Sequence, residues 1–205
     1  PQCQEVTVRN AEAELDLQGT LMLPGRRGPF PAVVMIPGTG PNQRDGSGHP
    51  GFKPFEDYAA HLVRSGIGSL RMDSRGVGGS GGSPWPASTM LDKASDVRAG
   101  LAFLRTQPWV NPAQVGLIGH SEGTWVAARI AALDSSVAFV VMLGGGGLPM
   151  DRLLRLQTER MLTAEGIPPM TQSKVLALVE ELLEITKQEL DDVRAAEKIR
   201  AAWKR

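Results

Sequence analysis

The chain has 205 residues, enough for one domain, or one domain with an elaboration, that buries a full core. Its 22 basic and 22 acidic residues balance, so no net field favours nucleic acid or an anionic membrane; the most basic stretch, 194–205, is broken by Glu197 as on a solvated helix face. A single cysteine, Cys3, excludes an intrachain disulfide framework and a Cys-rich zinc site, and the longest apolar run, 137–143, has strand length, far short of a bilayer span.

Pro1 carries no signal-peptide pattern and is not an initiator methionine. The N-terminus is therefore expected to be processed or trimmed, which leaves the compartment open.

In chain order, "CQEVTVRN" and "AELDLQGTLMLP" alternate apolar and polar residues and predict two antiparallel strands. "PAVVMIPG" (31–38) is a continuous β-branched run, the pattern of a strand buried on both faces. A Gly/Pro/Asn-rich loop follows, then the helical pattern "PFEDYAAHLVRSG", with Phe55, Tyr58, Ala59 and Leu62 on one face and Gly66 as the stop. "IGSLRMD" (67–73) predicts a strand and "SRGVGGSGGSPWP" a flexible loop. A helix is expected over 88–107, with Leu91, Ala94, Val97, Leu101 and Leu104 at helical spacing. "QVGLIG" (114–119) reads as a strand running directly into a helix, and "SVAFVVMLGG" (136–145) as a further buried strand.

Alternating strands and helices of this kind build a parallel sheet covered on both faces. After Gly147 the remaining sequence is amphipathic helix with no strand. The expected division is an α/β core over 1–148 and a helical segment over 149–205, with the glycine run 144–147 as a hinge.

The strand-to-helix junction carries Gly119-His120-Ser121-Glu122-Gly123, a G-x-S-x-G pattern. On a sharp turn this pattern lifts a serine hydroxyl above the sheet, and the flanking glycines leave room for the strained backbone. The helix N-terminus behind Ser121 presents free N–H groups suited to a developing oxyanion. Ser121 is thus the candidate nucleophile. The backbone N–H of Glu122 is a candidate oxyanion donor, paired with that of Thr39 or Gly40 in the loop "IPGTGPNQRDG" after the third strand.

On the residues "GTLMLPGRRGPFPAVVMIPGTGPNQRDG", "RMDSRGVGGSGGS" and "GLIGHSEGTWVAARIA", the chain resembles the α/β-hydrolase superfamily. Within it, these stretches are similar to bacterial esterases and dienelactone-hydrolase-like enzymes, over residues 10–165. The resemblance implies an α/β-hydrolase fold and reads the helical segment as the start of a cap or lid. Where the family usually has His-Gly before the oxyanion residue, this chain has Pro37-Gly38, which alters the side chain and leaves the backbone donor.

The family order is nucleophile, acid, histidine, yet His49, His61 and His120 all precede Ser121. His120 is expected to pack beside the sheet and His61 to be a half-exposed scaffold residue. His49, in the oxyanion-side loop, is the one histidine placed to approach the site, from a mobile loop that would hold an imidazole poorly. Asp134 ends a helix, Asp151 begins the helical segment, and Asp73 is expected to tie down Arg75. The histidine and acid are therefore expected on a missing or separate C-terminal part. The strand over 138–143 would otherwise be an open apolar edge, covered by that part or by a second copy of the chain.

G-x-G-x-x-G at 76–81 lacks the helix a dinucleotide fingerprint requires, because Pro84 and Pro86 follow it. No phosphate-loop motif occurs, and no metal or organic cofactor is implied. The expected function is hydrolysis of small carboxylic esters through an acyl-enzyme. The apolar residues Leu153, Leu154, Leu156, Met161 and Leu162 suggest an acyl or aryl group of modest size. Thioester hydrolysis, acyl transfer and peptide cleavage remain open on the same elbow, as does a non-catalytic binding role.

Overall fold

The computed structural model describes residues 1–46, 51–83, 86–145 and 147–204. His49, Pro84 and Gly146, weighed above, lie outside the described residues. The chain divides into two compact units, Pro1–Gly145 and Gly146–Arg205.

The first unit is a six-stranded sheet with helices on both faces. Strands β1 (Gln2–Asn10) and β2 (Leu15–Leu23) form an antiparallel hairpin, and β2 pairs antiparallel with β4 (Gly68–Met72). Strands β3 (Phe30–Ile36), β5 (Val110–His120) and β6 (Val140–Leu143) complete a parallel set with β4, in the order β1-β2-β4-β3-β5-β6. Helices α1 (Pro54–Arg64), α2 (Met90–Arg105) and α3 (Glu122–Leu133) connect the parallel strands.

The continuous apolar run of β3 is explained by its place between β4 and β5. Ala32, Val34 and Ile36 enter the large core, which also holds Val97, Leu101 and Leu104 of α2 and Val126 and Ile130 of α3. Val33 and Met35 point the other way, onto Phe55 and Ala59 of α1. This is the two-residue alternation of a strand read on both faces.

The helix ends are locally specified. Thr89 caps α2: its hydroxyl accepts from the Asp92 N–H, and the Asp92 carboxylate accepts from the Thr89 N–H. Pro54 opens α1, and Gly66, at φ +82°, follows its C-cap.

Three expectations from periodicity are corrected. Tyr58 and Leu91 are exposed, because the faces that pack are Phe55-Ala59-Val63 on α1 and Ala94-Val97-Leu101-Leu104 on α2. Strand β6 is not buried: it is the last strand in the sheet order, and Val141 and Met142 are exposed. The loop after β4 is held rather than flexible, with Ser80 Oγ donating to the Asp73 carbonyl and Gly81 N–H to the Asp16 carbonyl.

The second unit consists of α4 (Met150–Ala164), α5 (Pro169–Gln188) and α6 (Asp192–Trp203). Lys187 pairs with Asp151 at 2.6 Å and Arg155 with Glu180 at 2.5 Å, so α4 and α5 run antiparallel. Asp191 caps α6 by accepting from the Arg194 N–H. Among the described residues of these helices only Ala202 is buried. No described helix is long and apolar enough to cross a membrane.

Candidate active site

Ser121 sits between the end of β5 and the first residue of α3 with φ +51° and ψ −122°. A non-glycine residue rarely takes this conformation, which costs on the order of 1–3 kcal/mol and persists only where its surroundings enforce it. They do so here. The Ser121 N–H donates to the Leu143 carbonyl of β6 at 2.9 Å, and its own carbonyl accepts from the N–H and hydroxyl of Thr124.

The two glycines of the pattern are steric necessities. A Cβ on Gly119 would lie 2.3 Å from the Gly123 carbonyl oxygen, and one on Gly123 would lie 2.3 Å from that of Ile36. The start of α3 is thereby packed directly against the ends of β3 and β5.

The loop after β3 passes beside the serine. A Cβ on Gly38 would be 3.0 Å from Ser121 Cβ and 3.5 Å from its hydroxyl. As the first residue of α3, Glu122 has an N–H with no intrahelical acceptor. Thr39 follows Gly38 and is exposed; Gly40 is half-buried, at φ +107°.

Sequence reasoning treated this loop as mobile, and the structure shows it pinned. Asp73, buried at the end of β4, accepts from the backbone N–H of Arg44 at 2.8 Å and from its guanidinium, at 2.8 Å from Nη2. Arg44 also pairs with Glu5 and donates to Thr20 at 3.0 Å, and its hydrogen bond to Asp73 above all raises its already high pKa. Asp45 pairs with the buried Arg71 of β4. Asn42 Nδ2 donates to the carbonyls of Gly38, Thr39 and Gly40 at 3.0, 3.2 and 3.0 Å.

The sequence expectation that Asp73 ties down Arg75 is therefore corrected: its carboxylate holds Arg44 instead. Arg75 pairs with Asp92 and Asp96 of α2, both at 2.7 Å. Burial raises the pKa of Asp96, against the opposing hydrogen bonds from Arg75 and Asn10.

A residue that sequence reasoning passed over stands at the centre. Lys93 of α2 donates to Glu122 Oε1 at 2.5 Å and to the Gly38 carbonyl at 2.8 Å, while Thr39 Oγ1 donates to Glu122 Oε2 at 2.9 Å. Pro37, Gly40, Thr89, Lys93, Val97 and Glu122 wall a cavity of about 80 Å³ next to this cluster. Nothing in the local pattern marked Lys93, whose partners are 29 and 55 residues distant.

One histidine is placed differently from expectation. His120 is exposed at the end of β5 and does not pack beside the sheet; its Nε2 lies 4.0 Å from the Cβ position of Gly144. His61 is exposed on α1. Among the described residues neither donates to nor accepts from the Ser121 hydroxyl. Asp134 ends α3, accepts from Ser136, which lowers its pKa, and pairs with Arg105 at 3.3 Å. Asp151 is engaged with Lys187 in the helical unit. Among the described residues, no three His, Cys, Asp or Glu side chains gather as metal ligands.

The model of the alpha/beta hydrolase family matches residues 33–203, which include the elbow and the loop after β3. The chain belongs to that family. The chain is similar to the esterase EstD of Thermotoga maritima, 30% identical over 141 residues, which are 69% of this chain and 33% of the relative. It is similar to the thiohydrolase apmlB of Arthrinium phaeospermum, 30% identical over 66% of this chain and 41% of that one. The polyketide transferase claH of Penicillium crustosum is 29% identical over 54% of this chain and 38% of its own length. The chain thus spans 33–41% of the length of these relatives.

Among solved structures, the alpha/beta hydrolase GrgF from a Penicillium species superposes with a TM-score of 0.60 at 25% identity, covering 82% of this chain and 57% of that one. A dienelactone hydrolase from Anabaena variabilis shares the fold, with a TM-score of 0.54 at 23% identity over 71% of this chain and 64% of its own.

Proposed function

We propose that this chain carries the nucleophile and oxyanion hole of a serine hydrolase acting on small carboxylic esters. The observation that carries the reading is Ser121 at φ +51° on a strand-to-helix elbow, with Gly38 against it on the other side. A conformation that costs free energy is expected where a side chain must be presented for reaction.

In this reading Ser121 Oγ attacks the acyl carbonyl carbon while a base takes its proton. The carbonyl oxygen becomes an oxyanion held by the N–H of Glu122 and that of Thr39 or Gly40. The tetrahedral intermediate collapses and expels the alcohol, which receives the proton from the same base. Water then resolves the acyl-enzyme by the reverse sequence of proton transfers. The histidine and its acid are assigned to a separate C-terminal part, following the family order in which they come after the nucleophile. The helical unit, with its Leu- and Met-bearing α4, is assigned the part of a cap.

The similarity to a thiohydrolase and a polyketide transferase supports a second reading, in which the acyl group arrives as a thioester or leaves to an acceptor other than water. On protein that includes the part carrying the histidine and acid, intact mass spectrometry before and after a fluorophosphonate probe tests the shared step, with one adduct on Ser121 expected. No label on protein that includes that part would remove the nucleophile claim. Paired assays on an oxygen ester and its thioester then choose between the readings, faster turnover of the thioester selecting the second.

A further inference from the structure

We infer that Lys93 is a positioning residue that, together with Asn42, locks the Gly38–Thr39 peptide so that the Thr39 N–H is the second oxyanion donor. The inference rests on the serine-hydrolase reading and deepens it.

A planar trans peptide points its N–H opposite to its C=O. Whatever holds the Gly38 carbonyl therefore also aims the Thr39 N–H. Two donors hold that carbonyl, Lys93 Nζ at 2.8 Å and Asn42 Nδ2 at 3.0 Å. The next carbonyl, of Thr39, has Asn42 at 3.2 Å. The Thr39 N–H is thus the better fixed of the two candidate donors, with two donors on the carbonyl of its peptide against one for that of Gly40.

Lys93 also spans the two segments from which the oxyanion hole is built. Its second bond goes to the Glu122 carboxylate, on the residue whose own N–H is the first donor. Thr39 Oγ1 closes the ring onto the other carboxylate oxygen. The separation of the two donors is set by a charge-assisted pair that is largely shielded from water, 19% exposed on each side. Preorganised donors stabilise the transition state because no reorientation is left to be done during reaction. A misaimed donor weakens transition-state binding while leaving ground-state binding nearly intact.

The test uses the protein together with the part that supplies the histidine and acid, as wild type, Lys93→Met and Lys93→Gln. Each is measured for phosphonylation of Ser121 by a fluorophosphonate, for kcat and KM on a short-chain nitrophenyl ester, and for its thermal melt. Lys93→Met removes both bonds, and its phosphonylation rate and kcat are expected to fall about 100-fold with KM within about twofold. Lys93→Gln returns an amide donor for the Gly38 carbonyl and is expected to recover about tenfold of that loss.

Should Lys93→Met not fold, the comparison of Lys93→Gln with wild type carries the test, with reduced kcat at unchanged KM expected. A folded Lys93→Met that matches wild type, or that raises KM at unchanged kcat, overturns the inference alone and leaves the hydrolase reading standing. A folded Lys93→Gln no faster than Lys93→Met overturns it as well, as does a Lys93→Gln with wild-type kcat. A wild-type protein that includes the part carrying the histidine and acid, and is still inert to both probe and ester, overturns the reading and the inference together.

Discussion

The two units of this chain are held in different ways. In the first, strands β1 to β5 bury most of the apolar residues they carry: Leu17, Val34, Ile36, Leu70 and Leu117 retain no more than 1% of their surface. In the second, three helices make ion pairs along exposed faces and bury Ala202 alone among the described residues. Close packing transmits strain, so the first unit can hold Ser121 in a conformation the isolated peptide would leave. A unit with little buried surface has no such grip. The strained, chemically pointed features accordingly lie in the first unit, and the second is specified by local helix patterning.

The largest effect that tests this contrast is functional. Ser121→Ala is expected to lower ester hydrolysis by on the order of 10⁴-fold or more with little change in thermal stability. Steady-state kinetics of purified protein beside a melt would decide it, and retained turnover would move the chemistry elsewhere.

Gly123→Ala should cost about 3 kcal/mol or more, because the new methyl meets the Ile36 carbonyl and the backbone must shift. Urea titration of the folded chain gives the number, and a loss below about 1 kcal/mol would show the elbow to be looser than its contacts imply.

Leu117→Ala and Leu154→Ala compare the two units directly. The first removes a side chain that is 0% exposed and should cost about 3 kcal/mol, whereas the second, 40% exposed, should cost about 1 kcal/mol or less. Equal losses by denaturant titration would erase the distinction drawn above.

A smaller effect, within the first unit, depends on pH. The backbone N–H of Thr89, foremost, and then its hydroxyl and Arg75 hold the Asp92 carboxyl below its ordinary range, against a partial opposing effect of burial. A carboxylate depressed in this way contributes stability that is present above its unfolded value and lost as pH falls through the folded one. Asp92→Asn is therefore expected to melt below wild type at neutral pH, by about 1 kcal/mol, with the gap shrinking as the solution is acidified. A gap that stays constant between neutral and strongly acidic buffer would show that the ionised cap contributes nothing.

How much of this was legible in the sequence varies with the range of the interaction. Continuous apolar runs placed β3 and β5 within a few residues, because a strand buried on both faces leaves no other pattern. The spacing of glycines around Ser121 marked the elbow, since a backbone that must approach another so closely excludes any side chain. Tyr58 and Leu91 were misplaced because helical spacing identifies a stripe but not its edges. Strand β6 was read as buried from composition alone, while its exposure follows from its position at the end of the sheet order.

By itself the sequence determined the elements, the glycine-flanked elbow at Ser121, the balance of charge and the change of character after Gly147, all of which depend on residues near one another in the chain. The tertiary structure alone decided which charges meet. Asp73 takes Arg44 from 29 residues away rather than the neighbouring Arg75, and Lys93 joins Gly38 to Glu122 across 55 and 29 residues. Such pairs leave no periodic trace, because partner choice among buried charges is settled by which side chains the packed sheet brings within hydrogen-bond distance, where an unpaired charge would cost more than any local preference could offset.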